Sequence, residues 1–353
     1  MKIERDKYGV ETQTFYLTNC KMVKSGCLLE FSRYGKSIML GKMAKRKDAI
    51  KRTRIKISLS HEDILNASAR RAKKMIKRLI YANSFYWFKD NGKPYLPTTI
   101  TLTFAENIQN LKVANYEFTK FIRRLNYEAN KIEGKDLKQS NLKYLAVFEL
   151  QKRGAIHYHC IFFNLPFINN IYDRLRDIWG QGMINVGGKK RGLNRIKNHS
   201  ILQSIISYFI KYIQKSIFED YFPNQKKYIT SKDLIKPQVL YVEEVINLVK
   251  DLLPDETFLF KYDGEKDYIE GRCENSFLKW INSSQYNIAK FPVLDSMIND
   301  IIFDYSFGGS NEPKPKNDLA NLNFNAPQNT ELDDQPLAGL FDKNPIQPSA
   351  PDS

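Results

Sequence analysis

One stretch in the middle of the chain constrains its fold more than any other: LKYLAVFEL-QKRGA-IHYHCIFF, residues 142–163. Two runs rich in β-branched and aromatic residues flank a short polar turn, which is the pattern of an antiparallel hairpin. With the turn centred near Arg153, Glu149 faces His157 and Val147 faces His159. Side chains alternate along a strand, so Glu149, His157 and His159 share one sheet face, which the alternation predicts to be polar and exposed. Phe148, Leu150, Ile156, Tyr158, Cys160 and Phe162 point the other way, into a core. A slip of one residue would move Glu149 to the opposite face, so the chemistry depends on this register. Two imidazoles and a carboxylate on adjacent strands are close enough to hold one divalent metal. Iron oxygenases and zinc hydrolases use similar sets, and the geometry alone leaves the metal open.

The neighbouring segments supply a topology. TTITLTF (Thr98 to Phe104) alternates as a strand, and Asn115 to Lys131 reads as an amphipathic helix with Asn115 as N-cap and Phe118, Phe121, Ile122 and Leu125 on its apolar face. After the hairpin come a helix from Asn169 to Trp179 that stops at Gly180, a short strand from Met183 to Val186, a basic turn GGKKRG, and a long helix from His199 to Phe218. The order β-α-β-β-α-β predicts an α+β fold of ferredoxin-like type, a central antiparallel sheet with packed helices. Ser60, followed by Asp63 in the first turn, predicts the start of a basic helix, and the segments flanking the central region are expected to be mainly helical. The expected division is a basic N-terminal segment over 1–92, the sheet domain over 93–220, an α-rich extension over 221–306, and a disordered Pro- and Asn-rich tail over 307–353.

Charge points to the partner. Among 353 residues, 55 Lys and Arg stand against 39 Asp and Glu, a formal +16. The tail holds three basic and seven acidic side chains, so the preceding body carries +20. A polyanion, nucleic acid first, is the partner such a balance implies. No run approaches the roughly 18 apolar residues of a membrane span, and the first residues carry no apolar stretch behind a basic start, so no membrane partner and a cytoplasmic location are expected. Cys20, Cys27, Cys160 and Cys273 are too few and too scattered for a disulfide framework or a zinc motif.

SYFIKYIQK (Ser207 to Lys215) repeats Tyr-x-x-Lys in tandem, Tyr208 with Lys211 and Tyr212 with Lys215. On a helix, residues four apart lie about 40° from each other, so the two phenols are neighbours. Leu202, Ile206, Phe209, Ile210, Ile213 and Ile217 form the apolar stripe, and the tyrosines fall to its side. A phenol titrates near pH 10 when unperturbed and needs nearby positive charge to act as a nucleophile. Attack on a DNA phosphate would leave a 3′-hydroxyl and a covalent 5′-phosphotyrosine, and two tyrosines would let one hold the first end while the other cuts again.

In these residues the chain resembles the HUH endonucleases, and specifically the rolling-circle replication initiators of small phages and plasmids, the group of the filamentous-phage gene II protein type and the microvirus initiators. TTITLTF resembles their first motif, GAIHYHCIFF their metal motif, IWGQGMINV their linking segment and YFIKYIQK their paired-tyrosine motif, together about a third of the chain. The resemblance implies Glu149, His157 and His159 as ligands of Mg²⁺ or Mn²⁺, Tyr208 and Tyr212 as nucleophiles, and Lys211 and Lys215 as their assistants. It implies single-stranded or locally melted origin DNA as substrate, host helicase and DNA polymerase as further partners, and a bacterial cytoplasm as the place of action. Lys152, Arg153, Lys189, Lys190 and Arg191, in two basic turns, are expected to hold the DNA backbone. An HUH transposase or relaxase, and a non-catalytic ferredoxin-like nucleic-acid binder, are the rival readings. Against the binder, the sheet face carries His157, His159 and Glu149 where a stacking platform wants paired aromatics.

Overall fold

The computed structural model describes residues 3–5, 11–13, 16–40, 61–151, 153–186, 195–218, 228–266 and 279–307. At several element ends, residues 212–218 among them, it describes the backbone alone. In chain order the strands and helices are β1 (Ile3–Arg5), β2 (Glu11–Gln13), β3 (Tyr16–Ser25), β4 (Leu28–Leu40), α1 (His61–Asn83), β5 (Thr98–Thr103), α2 (Leu111–Glu133), β6 (Tyr144–Leu150), β7 (Ile156–Phe162), α3 (Ile171–Trp179), β8 (Ile184–Asn185), α4 (His199–Phe218), β9 (Tyr228–Thr230), β10 (Gln238–Leu240), α5 (Glu243–Asp251), β11 (Phe258–Lys266), β12 (Lys279–Asn287) and α6 (Pro292–Phe307).

The central region folds in the expected chain order, β5-α2-β6-β7-α3-β8, into an antiparallel five-stranded sheet whose spatial order is β8-β5-β7-β6-β9. One face of this sheet packs on α2 and α3. Ile100, Leu102 and Phe104 from β5 and its end, and Phe148, Tyr158, Cys160 and Phe162 from the hairpin, meet Phe118, Phe121 and Leu125 of α2 and Leu175 and Trp179 of α3. Tyr158 lies flat against Phe118 with ring centroids 4.6 Å apart and donates its hydroxyl to Asn115 Oδ1 at 2.7 Å. Burial there pushes the Tyr158 hydroxyl well above the usual phenol range.

Asn115 is therefore not the cap of α2. The cap lies five residues earlier, at Asn110, whose side chain accepts from the Lys112 and Val113 amides. The extra turn buries Leu111 and Ala114. Its apolar signal is weak because one of those two side chains is a single methyl.

The expectation of mainly helical flanks is overturned. The N- and C-terminal segments contribute a second antiparallel five-stranded sheet of order β10-β3-β4-β12-β11, with α5 and α6 packed on it. It joins two local antiparallel pairs, β3 with β4 and β11 with β12, from opposite ends of the chain, Leu28 pairing with Asn287 and Tyr34 with Ile281, and no local pattern announces that joining. Helix α1 lies between the sheets. Its Ile76, Leu79 and Ile80 pack toward α4 and the central sheet. Toward the second sheet, Arg78 Nε meets Glu30 Oε2 at 2.5 Å in a largely buried ion pair, and Gln285 links Glu30 to Lys77. The β3–β4 turn presses on α1 so closely that a Cβ on Gly26 would stand 2.3 Å from the Tyr81 carbonyl oxygen, and φ there is +55°. No helix among the described residues is long and apolar enough to cross a membrane. Phe307, where the expected tail begins, closes α6, and residues 308–353 lie outside the described residues, as does the basic stretch from Lys42 to Arg54 within the expected N-terminal segment.

Candidate active site

The hairpin turn closes through Gly154 N to Gln151 O at 2.8 Å and Gln151 N to Ala155 O at 2.8 Å. This sets the register in which Glu149 pairs with His157 and Val147 with His159. On its other side, β7 pairs with β5, which places Thr101 opposite His159 and Thr103 opposite His157. His159 is thus held on the central strand between Val147 and Thr101. Its Nε2 lies 3.3 Å from Glu149 Oε1, and its Nδ1 lies 3.2 Å from Thr101 Oγ1.

Glu149, His157 and His159 bring one donor atom each to within 4.8 Å of one another. Two imidazole nitrogens and a carboxylate oxygen at that spacing fit a divalent cation, and the mixture of nitrogen and oxygen suits manganese, zinc or iron without selecting one. The face is not exposed as its alternation implies. Glu149 and His157 are each 9% accessible and His159 3%. The cause is tertiary: α4 and α1 cover this side of the sheet, with Leu202, Ile205, Ile206 and Phe209 of α4 packed against Leu145, Val147, Ile161 and Phe163. The site sits at one end of that apolar contact.

Tyr208 comes to the site from α4. Its half-buried ring meets His159 edge-on, centroids 5.3 Å apart and planes at 90°, and its hydroxyl lies 3.1 Å from His159 Nδ1. The phenol and the Thr101 hydroxyl therefore share one ring nitrogen. If Nδ1 carries the proton, it donates toward these oxygens and leaves the Nε2 lone pair facing the Glu149 side, which is how a metal-ligating imidazole is usually oriented. In the other tautomer the phenol donates to Nδ1. Either way, one imidazole connects the phenol to the carboxylate.

Lys211 is exposed on α4, one turn beyond Tyr208. The backbone of α4 runs on through Tyr212 and Lys215, whose side chains lie outside the described residues, as do Lys152, Lys189, Lys190 and Arg191. Arg153 is described, and its guanidinium is turned back on the protein. It donates to the Phe104 carbonyl at 2.6 Å, the Ala105 carbonyl at 3.4 Å and Gln151 Oε1 at 3.1 Å, tying the hairpin turn to the end of β5. The linking segment crosses the same end of β5. Ala105 N donates to Gln181 O and Thr103 N to Met183 O, and a Cβ on Gly182, where φ is +145°, would stand 2.4 Å from Ala105 N.

Two features escaped the sequence reading. Thr101 was readable, because the alternation of TTITLTF puts Thr99, Thr101 and Thr103 on one face. The second is a cleft of about 580 Å³ between α2 and α3, on the opposite side of the sheet, lined by Lys120, Arg123, Arg124 and Arg174 with Glu128 and Asp177. Arg174 is held there by a two-pronged contact with Glu128, at 3.0 and 2.8 Å, which keeps the Glu128 carboxyl below the usual carboxylate range. That cluster depends on the crossing of two helices, which the spacing of charges along either one does not encode.

Residues 97–217 match the model of a family of replication-associated proteins, that of the ORF2 and gene II protein type. The matched segment runs from the start of β5 to the end of α4 and contains every residue of the Thr101, Glu149, His157, His159 and Tyr208 constellation. No curated protein and no solved structure matches the chain at a significant level.

Proposed function

We infer that this chain initiates rolling-circle DNA replication by nicking one strand at an origin and joining itself to the 5′ end. The observation that carries the reading is the Tyr208 hydroxyl, 3.1 Å from an imidazole of the Glu149, His157 and His159 cluster, inside the segment that matches the replication-associated family. The strand order β8-β5-β7-β6 with crossover helices α2 and α3 on one face supports a ferredoxin-like HUH endonuclease core.

In this reading Glu149, His157 and His159 would hold Mg²⁺ or Mn²⁺, which when bound polarises a phosphodiester oxygen. The chain's own groups do the rest. Thr101 fixes the His159 ring, and His159 in its Nδ1-protonated form donates a hydrogen bond to the Tyr208 oxygen and holds it in place for attack. That oxygen attacks phosphorus, the bond from phosphorus to the 3′-oxygen breaks, the phenol loses its proton and the departing 3′-oxygen gains one. The phosphoryl group stays esterified to Tyr208, and the reverse attack by a 3′-hydroxyl reseals the strand. Tyr212, one turn on, would take the second strand end, with Lys211 and Lys215 near the phosphates. The free 3′-hydroxyl primes a host polymerase once a host helicase opens the duplex, in the bacterial cytoplasm.

The test is incubation with single-stranded origin DNA and Mn²⁺, followed by denaturing electrophoresis. An SDS-stable protein–DNA adduct, lost on chelation and lost in the Tyr208→Phe, Tyr212→Phe double variant, is expected. No adduct from the wild type, or an undiminished one from the double variant, overturns the reading.

A further inference from the structure

The segment between α1 and β5, SFYWFKDNGKPYL (84–96), is a small hairpin that the activity described above does not use. Lys89 N donates to Lys93 O at 2.9 Å, Gly92 N to Lys89 O at 2.9 Å and Tyr95 N to Trp87 O at 2.8 Å, and Phe88 bridges Pro94. Its root is anchored. Asn83 exchanges hydrogen bonds with the Ile235 backbone, at 3.0 and 2.9 Å, and the Phe85 ring sits 5.0 Å from that of His199, the first residue of α4. Phe85 has φ +63°, a left-handed conformation that a bulky side chain rarely adopts.

This turn of the backbone sets an alternation. Phe85 and Trp87 point inward and pack against the core under α4, with Lys143 Nζ 5.2 Å from the Trp87 ring centre. Tyr86 and Phe88 point outward and are 52% and 62% exposed. An aromatic pair so exposed, on a two-stranded arm closed by backbone hydrogen bonds, with Lys89 and Lys93 flanking the Asp90-Asn91-Gly92 turn and a chain of formal charge +16 behind it, has the parts of a single-strand binding element. Aromatic faces stack bases of any sequence, and the lysines meet the phosphates.

We propose that Tyr86 and Phe88 form a base-stacking subsite for single-stranded DNA, holding the strand a few nucleotides away from the bond that Tyr208 attacks. The arm meets the start of α4, and Tyr208 lies nine residues further along that helix, about 14 Å by helical rise. The subsite thus adds substrate-positioning residues to the same site and rests on the single-strand reading of its substrate.

Binding without cleavage tests it. Fluorescence anisotropy in EDTA would compare the full chain with a Tyr86→Ala, Phe88→Ala variant on a labelled single strand of about 30 nucleotides and on an abasic strand of equal length. The variant is expected to bind the normal strand at least about ten-fold more weakly, with an unchanged dependence on salt, and to bind the abasic strand as the wild type does. Phe88→Trp should retain affinity, which separates loss of stacking from damage to the arm. Equal affinity of variant and wild type on the normal strand overturns the proposal and points to a protein partner for this face. A deficit that persists on the abasic strand overturns it too. Because no step of this assay requires a nick, failure of the adduct experiment leaves its outcome readable.

Discussion

The two faces of the central sheet use the same strands for opposite purposes. On the α2 and α3 face, β5, β6 and β7 present Ile100, Leu102, Phe148, Tyr158, Cys160 and Phe162, all apolar contacts or satisfied phenol. On the α4 face, alternate residues of the same strands present Thr101, Glu149, His157 and His159 beside Val147 and Ile161. Hydrophobic burial stabilises the first arrangement, while polar groups held out of bulk water make the second costly unless something pairs with them. A strand that alternates every residue can therefore carry a core on one side and a reactive cluster on the other, with a single register fixing both.

Substitutions should separate the two faces. The largest effect expected is on chemistry: His159→Asn should lower the rate of adduct formation by about a thousand-fold or more, through loss of a proposed metal ligand, while the urea midpoint stays near that of the wild type. An equal loss of stability would mean that the cluster is part of the core. Next, Tyr158→Ala, one strand position away but on the other face, should cost about 3–5 kcal/mol of stability by urea titration, because it deletes a buried ring stacked on Phe118. Thr101→Val keeps the size of the side chain and removes the hydrogen bond to His159, so metal affinity read by calorimetry should fall about ten-fold with little change in melting temperature.

The smallest effect concerns His199, whose burial lowers its pKa below the usual 6.5. The unfolded chain then binds its proton more readily than the folded one. The stability contributed by keeping this imidazole neutral is complete above about pH 6.5 and is lost as the pH falls toward the lowered value. A shallow decline in melting temperature on acidification below that point, reduced in His199→Gln, is the expected result, and an unchanged slope in that variant would assign the decline to other groups.

What could be read from the sequence divides along physical lines. The hairpin register and the extent of α4 follow from local alternation and spacing, and the structure repeats both, including the pairing of Glu149 with His157. The burial of that cluster was not legible, because it depends on where α4 docks, and the tyrosine pattern marks a helix edge without saying what lies under it. The second sheet was missed for a related reason: β3 and β4 form a hairpin across a two-residue turn, but the other neighbour of β4 is β12, about 250 residues further along the chain, and the joining of those two strands into one sheet has no local signal. The N-cap of α2 was displaced because Asn115, a good capping residue by type, is used by Tyr158 instead.

The account depends most on a bond between one phenol and DNA. After reaction with single-stranded origin DNA and Mn²⁺, nuclease digestion and peptide mass spectrometry should find a nucleotide remnant on Tyr208 through a 5′-phosphate. A remnant on a serine, lysine or tyrosine outside α4, or cleaved strands with no nucleotide attached to any peptide, would contradict it.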